Sequence, residues 1–142
     1  MSKKKAAFCL REKSEYACFR SKPMAGGHRV YMEMPDAPKA KGPPARYAKM
    51  LSKHEVCFID LDFESVDGRK PPKGFLAITM SWCGGQYRRQ GLGKLLYKGA
   101  LQEAKRLGYT GLASTQSERN LASDKLWKKL PSSTINNWDT LS

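Results

Sequence analysis

Two groups of residues have types and spacing suited to chemistry. The first is Arg88-Arg89-Gln90-Gly91-Leu92-Gly93, two arginines and two glycines at the start of a run with helical periodicity. Main-chain N–H groups at a helix start lack intrahelical partners and sit at the positive end of the helix dipole, so they favour anions such as phosphate. Glycine at 91 and 93 leaves no Cβ in the way of a pyrophosphate. The second group is Asp60, Asp62 and Glu64, which alternate along one face of a strand-like segment with His54 behind them. A partly buried carboxylate with a raised pKa can act as a general base. The same three acids also fit a solvated strand edge.

The elements that must position these groups are readable around them. Residues 75–82 are apolar or small on both faces, as in a strand covered on both sides. Leu92, Leu95, Leu96, Ala100, Leu101, Ala104 and Leu107 repeat at helical spacing, and Gly108 supplies the stop. The turn between them is neither the dinucleotide fingerprint nor a P-loop, because it lacks the third glycine of one and the Lys-Ser/Thr ending of the other. Upstream, residues 54–64 alternate, with Cys57, Ile59, Leu61 and Phe63 on the face opposite the acids. An Asp-Gly signal and two prolines then turn the chain back. Residues 109–115 read as a strand parallel to 75–82 through a right-handed crossover. Residues 117–130 read as a helix with Ser117 and Asn120 as candidate caps and Pro131 as its stop, followed by one strand around 134–138.

The first half is less regular. Residues 28–34 alternate as a strand. Residues 6–10 and 16–19 fit either a hairpin or a strand with a helical turn. Residues 35–44, PDAPKAKGPP, read as a mobile surface loop, and 44–53 as a short helix with proline near its first turn.

The order strand, Arg88-x-x-Gly91-x-Gly93, helix, strand, Asn-led helix resembles the GNAT superfamily of N-acetyltransferases, whose acyl-CoA pyrophosphate motif is R/Q-x-x-G-x-G/A. Asn120, Ser123, Leu126, Trp127 and Lys129 are similar to that family's N-x-x-A-x-x-L-Y-x-K helix, with Trp127 in place of the tyrosine. The resemblance covers about residues 73–131. It implies an α/β (α+β) fold: a central mixed, mostly antiparallel sheet with helices on both faces and a shortened C-terminal end. It implies one domain over 1–142, with 1–72 as the acceptor-side half, 73–131 as the CoA-binding core and 132–142 as a short strand and tail.

The implied activity is transfer of an acetyl group from acetyl-CoA to a primary amine by direct attack. Main chain at Arg88, Arg89, Gln90, Gly91, Leu92 and Gly93 would take the pyrophosphate, with Lys94 near the phosphates. Trp82, Cys83 and Gly84 would run beside the pantetheine, their main chain at a strand bulge donating to the thioester carbonyl, and Asn120 would sit near the thiol end. An indole N–H is no proton donor to a leaving thiolate, so Trp127 reads as core and Ser123, Ser114 or Thr115 would act through water. For the base, Asp62 and Asp60 are the candidates. The wording of 117–130 is also similar to phage-encoded GNAT-like proteins, including Mom-type DNA-modifying proteins, which keeps a nucleic-acid acceptor in view.

At 142 residues the chain is one domain with room for a core. It has no apolar run of membrane-spanning length, and its basic start is too short for a secretory signal, so a cytoplasmic location without membrane contact is expected. Four cysteines show no C-x-x-C pair and no zinc spacing with His28 or His54, so no metal is expected; Cys57 and Cys83 read as buried free thiols in a reducing setting. The formal charge of +13 would draw CoA, nucleic acid or an acidic protein surface, or simply keep the chain soluble. A catalytically silent nucleic-acid-binding module is the remaining alternative, and a homodimer partner would close the short C-terminal end.

Overall fold

The computed structural model describes residues 8–12, 15–64, 68–87, 92–114, 125 and 127–137. Seven strands form one mixed sheet whose spatial order is the chain order. They are β1 (Phe8–Glu12), β2 (Glu15–Met24), β3 (Gly27–Glu33), β4 (Glu55–Asp62), β5 (Phe75–Cys83), β6 (Gly111–Ser114) and β7 (Ile135–Asn137). Neighbours from β1 to β5 pair antiparallel, whereas β6 runs parallel to β5 and β7 parallel to β6. The mixed, mostly antiparallel sheet is the expected one, and the two N-terminal runs resolve into a hairpin.

Helix α2 (Leu92–Arg106) crosses one face of the sheet and touches β1 to β6. Its periodic leucines and alanines are buried against the strands, as their spacing requires. Two details fix where it lies. Gly99 packs directly on the Phe19 ring, and a Cβ there would stand 2.3 Å from a ring carbon. The Ser21 hydroxyl donates to the fully buried Glu103 carboxylate, which also receives Nε–H of Arg106 at 2.7 Å. Burial pushes the Glu103 carboxyl up, but the hydrogen bonds from Arg106 and Ser21 outweigh it and leave the group below its ordinary value. Its stabilising effect is therefore full above the unfolded-state pKa and is lost as pH falls through the folded one. The helix ends in a Schellman arrangement, with Tyr109 N–H donating to Ala104 O, Gly108 N–H to Lys105 O, and Gly108 at φ +97°.

Directly opposed residues in a ladder share a face. Phe19 and Ser21 meet α2, so their register partners Met32 and Val30 face it as well, and so do Cys57 and Ile59 one strand further. Arg20, Tyr31, Arg29, Phe58, Asp60 and Trp82 lie on the opposite face. There the single turn α1 (Ala45–Ala48) packs Tyr47 edge-on against Phe58 and Trp82. The helix expected over 44–53 stops after that turn, since Pro44 offers no side-chain cap and none of its four residues is buried.

The cysteine expectation is overturned. Cys9 is bonded to Cys18 and Cys57 to Cys83, leaving no free thiol. Each pair sits directly opposite across an antiparallel ladder, β1–β2 for the first and β4–β5 for the second. The reducing setting inferred from free thiols loses its support, because disulfides persist in oxidising surroundings.

Gly99→Ala is expected to destabilise the chain by about 1–3 kcal/mol through overpacking against Phe19. The gain of about 1 kcal/mol that alanine brings to a helix interior would not cover it. A urea unfolding midpoint no lower than that of the unaltered chain would show that α2 does not sit on Phe19.

Candidate active site where two strands part

Strand β5 pairs with β6 only at Phe75↔Gly111, Leu76↔Leu112 and Ala77↔Ala113. Beyond Ala77 it continues for six residues with no partner in β6 among the described residues, and there the ladder opens. The other edge of β5 shows why. Asp60 opposes Met80 and Leu61 opposes Ile78, so Thr79 is an extra residue, a β-bulge. A bulge bends and twists its strand, and this one falls just after the last pair shared with β6. The bulge is thus at Thr79 and not around 82–84, where the resemblance implied it.

The bulge brings a carboxylate into play. The Thr79 hydroxyl donates to Asp62 Oδ2. Burial raises the Asp62 pKa above its ordinary value, Thr79 pulls it down, the Asp60 charge pushes it up again, and Arg29 opposes that. Asp60 is in a different position. Arg29 grips it through Nε–H to Oδ1 at 2.6 Å and Nη2–H to Oδ2 at 2.9 Å, a two-pronged ion pair stacked over the Phe58 ring. That hydrogen bonding to Asp60, more than burial can undo, raises the Arg29 pKa. His54 is also engaged, with Nδ1 2.9 Å from Ala37 O. Of the acids on this strand face, Asp62 is the one both partly buried and unclamped.

The end of β5 is covered in a way the sequence did not announce. Residues 35–44 form a strap across it. Trp82 Nε1–H donates to Pro43 O at 3.0 Å, Gly85 N–H to Lys41 O at 2.6 Å, and Tyr87 O–H to Pro38 O at 2.6 Å. Gln86 completes the fastening, receiving Lys41 N–H at 3.0 Å and donating to Lys39 O at 2.8 Å. Ala40 is buried against Gly84, where an added Cβ would come within 2.8 Å. The surface loop expected over 35–44 is therefore a pinned element.

The strap decides which donors remain for a ligand. Gly84 N–H is given to Val56 O, Gly85 N–H to Lys41 O and Tyr87 N–H to Gly84 O, so the turn Gly85–Tyr87 satisfies itself. At the start of α2, the main-chain N–H groups of Leu92 and Gly93 have no intrahelical acceptor. Leu92 is buried, and the Cys83 side chain is committed to Cys57. Trp82 is buried under the strap, and Trp127 is fully buried in the core as expected. Arg88, Arg89, Gln90, Gly91, Asn120 and Ser123 lie outside the described residues. The residues present fit an acyl-CoA, because the ladder opens on the side where β5 runs on towards the α2 start. Thr79 and the strap could not have been read from periodicity, although the threonine within the apolar run 75–82 was a hint.

Residues 44–130 match the model of the acetyltransferase (GNAT) family. That span exceeds half of the chain, and the chain belongs to the GNAT acetyltransferase family, whose members use acyl-CoA. No curated protein and no solved structure matches it significantly. Among the described residues no helix is long and apolar enough to cross a membrane, and no group of His, Cys, Asp and Glu could hold a metal ion.

Gln86→Ala removes both side-chain bonds to the strap. Hydrogen exchange at residues 38–43 is expected to accelerate, while global stability falls by no more than about 1–2 kcal/mol, the usual worth of two partly exposed hydrogen bonds. Unchanged exchange there would mean that Gln86 does not hold the strap.

Proposed function

We propose that this chain transfers an acetyl group from acetyl-CoA to a primary amine by direct attack, with Asp62 as the general base. One observation carries the reading: β5 and β6 part at the Thr79 bulge, and the residue bonded to that bulge is a partly buried carboxylate with a raised pKa. Acetyl-CoA supplies a thioester carbonyl activated towards nitrogen. Main chain at 88–93 holds its phosphates, and the open edge of β5 receives the pantetheine. Asp62 takes the proton from the incoming ammonium at a carboxylate oxygen, and Thr79 orients that carboxylate through Oδ2. Asp60, ion-paired with Arg29, pushes the Asp62 pKa up, and Arg29 opposes it. A nucleic-acid acceptor is the second reading, favoured by the charge of +13 and by exposed Lys41, Arg46, Lys49 and Lys53 beside the strap.

A thermal shift tests the cofactor. Acetyl-CoA and CoA are expected to raise the melting temperature and ATP is not, with the shift absent in Gly91→Glu. No shift at millimolar acetyl-CoA would sink the proposal.

Asp62→Asn is expected to lower the transfer rate by about 10²–10⁴-fold. Transfer needs the carboxylate, so the rate of the unaltered chain should fall as pH drops through a pKa above the ordinary 3.8. The folded chain favours the protonated acid, a stabilisation present below the unfolded-state pKa and lost as pH rises through the folded one. At neutral pH, Asp62→Asn should accordingly melt no lower than the unaltered chain. A fall in melting temperature together with an intact rate would assign Asp62 a structural role instead.

A further inference from the structure

Asp62 also lines a hollow of about 400 Å³, together with Ala25, Gly26, Phe63 and Glu64. The chain walls it at two places, the turn joining β2 to β3 and the exit of β4, tied together by Phe63 N–H donating to Gly26 O at 2.8 Å. Its lining is unusual for this molecule in two independent respects.

The first is charge. Glu55, Asp60 and Glu103 each hold an arginine, namely Arg20, Arg29 and Arg106. Asp62 and Glu64 form no salt bridge with any described residue. Two acids outside any salt bridge among the described residues, in a chain of 26 basic residues, give a positive protein a hollow lined by carboxylates. The second is apolar exposure. Phe63 is 45% exposed and Met24, next to Ala25, 39%; they are two of the three exposed large hydrophobic side chains among the described residues. Uncovered apolar surface beside convergent polar groups marks a binding site. Carboxylates with an aromatic face and hydrocarbon walls select an ammonium on an aliphatic stem, and they repel a polyanion.

We infer that this hollow is the acceptor site and that the acceptor is a linear aliphatic diamine or polyamine, one ammonium held by Glu64 while the other amine meets Asp62 beside the Thr79 bulge. The inference rests on Asp62 being the base of the acyltransferase. Two residues apart, Asp62 and Glu64 have Cα atoms at most about 7 Å from one another, which suits a diamine of a few methylenes. The transfer forms one C–N bond and breaks the thioester C–S bond; of the two protons that nitrogen gives up, Asp62 holds one and the departing thiolate takes the other to leave as the thiol, and the second ammonium is unchanged.

Calorimetric titration of the full chain, first without acetyl-CoA, with 1,4-diaminobutane, spermidine and n-butylamine tests this. Both polyamines are expected to bind at least about tenfold more tightly than n-butylamine, the worth of one further ion pair. Glu64→Gln should remove that preference, and Glu64→Asp, which keeps the charge, should retain most of it. With acetyl-CoA present, Glu64→Gln should raise KM for the diamine about tenfold with kcat kept, the mark of lost uniform binding. Equal binding of diamine and monoamine, or a preference untouched by Glu64→Gln while acetyl-CoA still raises the melting temperature, overturns the acceptor assignment and leaves the acyltransferase reading standing. Absence of any acetyl-CoA shift overturns both.

Discussion

The arrangement depends on β5 having, among the described residues, two neighbours for three residues and only one thereafter. A central strand normally satisfies main-chain groups on both edges, and giving up one edge leaves donors and acceptors that something else must engage. Here the change comes with an extra residue, Thr79, inserted opposite β4 just past the last pair with β6. The same insertion opens the sheet, aims a hydroxyl at Asp62, and sends the rest of β5 towards the turn that leads to α2. The opening of the sheet and the contact with Asp62 both go with one added residue.

Holding that opening in place falls to packing on both faces. Beneath the sheet, α2 is seated by the contact of Gly99 with Phe19 and by the buried Glu103 between Ser21 and Arg106. Above it, the strap at 35–44 and the ring cluster of Tyr47, Phe58 and Trp82 cover the last residues of β5. The Cys57–Cys83 bond joins β4 to β5 at the same end. Strand β5 is therefore fastened at its C-terminal end and open along its middle, which suits a strand that must present main chain to a ligand without moving.

The charges are distributed to the same purpose. Most acids near the core hold an arginine, and such pairs leave little net field behind. Asp62 is excepted because Asp60, two residues away on the same face, takes Arg29. Two carboxylates on one strand face thereby sit differently, one held in a two-pronged ion pair and the other bonded to the bulge with its pKa raised.

Much of this was legible in the residue order. The strand at Phe75–Cys83, the helix at Leu92–Arg106 and the alternation of Cys57, Ile59 and Leu61 against Asp60 and Asp62 appear within a residue or two of their expected bounds. Periodicity records which face of an element is buried, and that is a local property. The glycine motif similarly marked the family from six residues. Cross-chain register left no such trace. The pairing of Cys57 with Cys83, the grip of Arg29 on Asp60 and the fastening of 35–44 onto 82–87 each join residues 26 to 49 positions apart. Pro-, Gly- and Lys-rich wording hides the strap because its contacts run through main-chain carbonyls, which every residue carries. Sequence by itself determined the fold family, the glycine-rich turn that marks it and the candidate carboxylates. Only the tertiary structure tells Asp62 from Asp60, because the difference lies in which carboxylate finds an arginine and which finds the bulge.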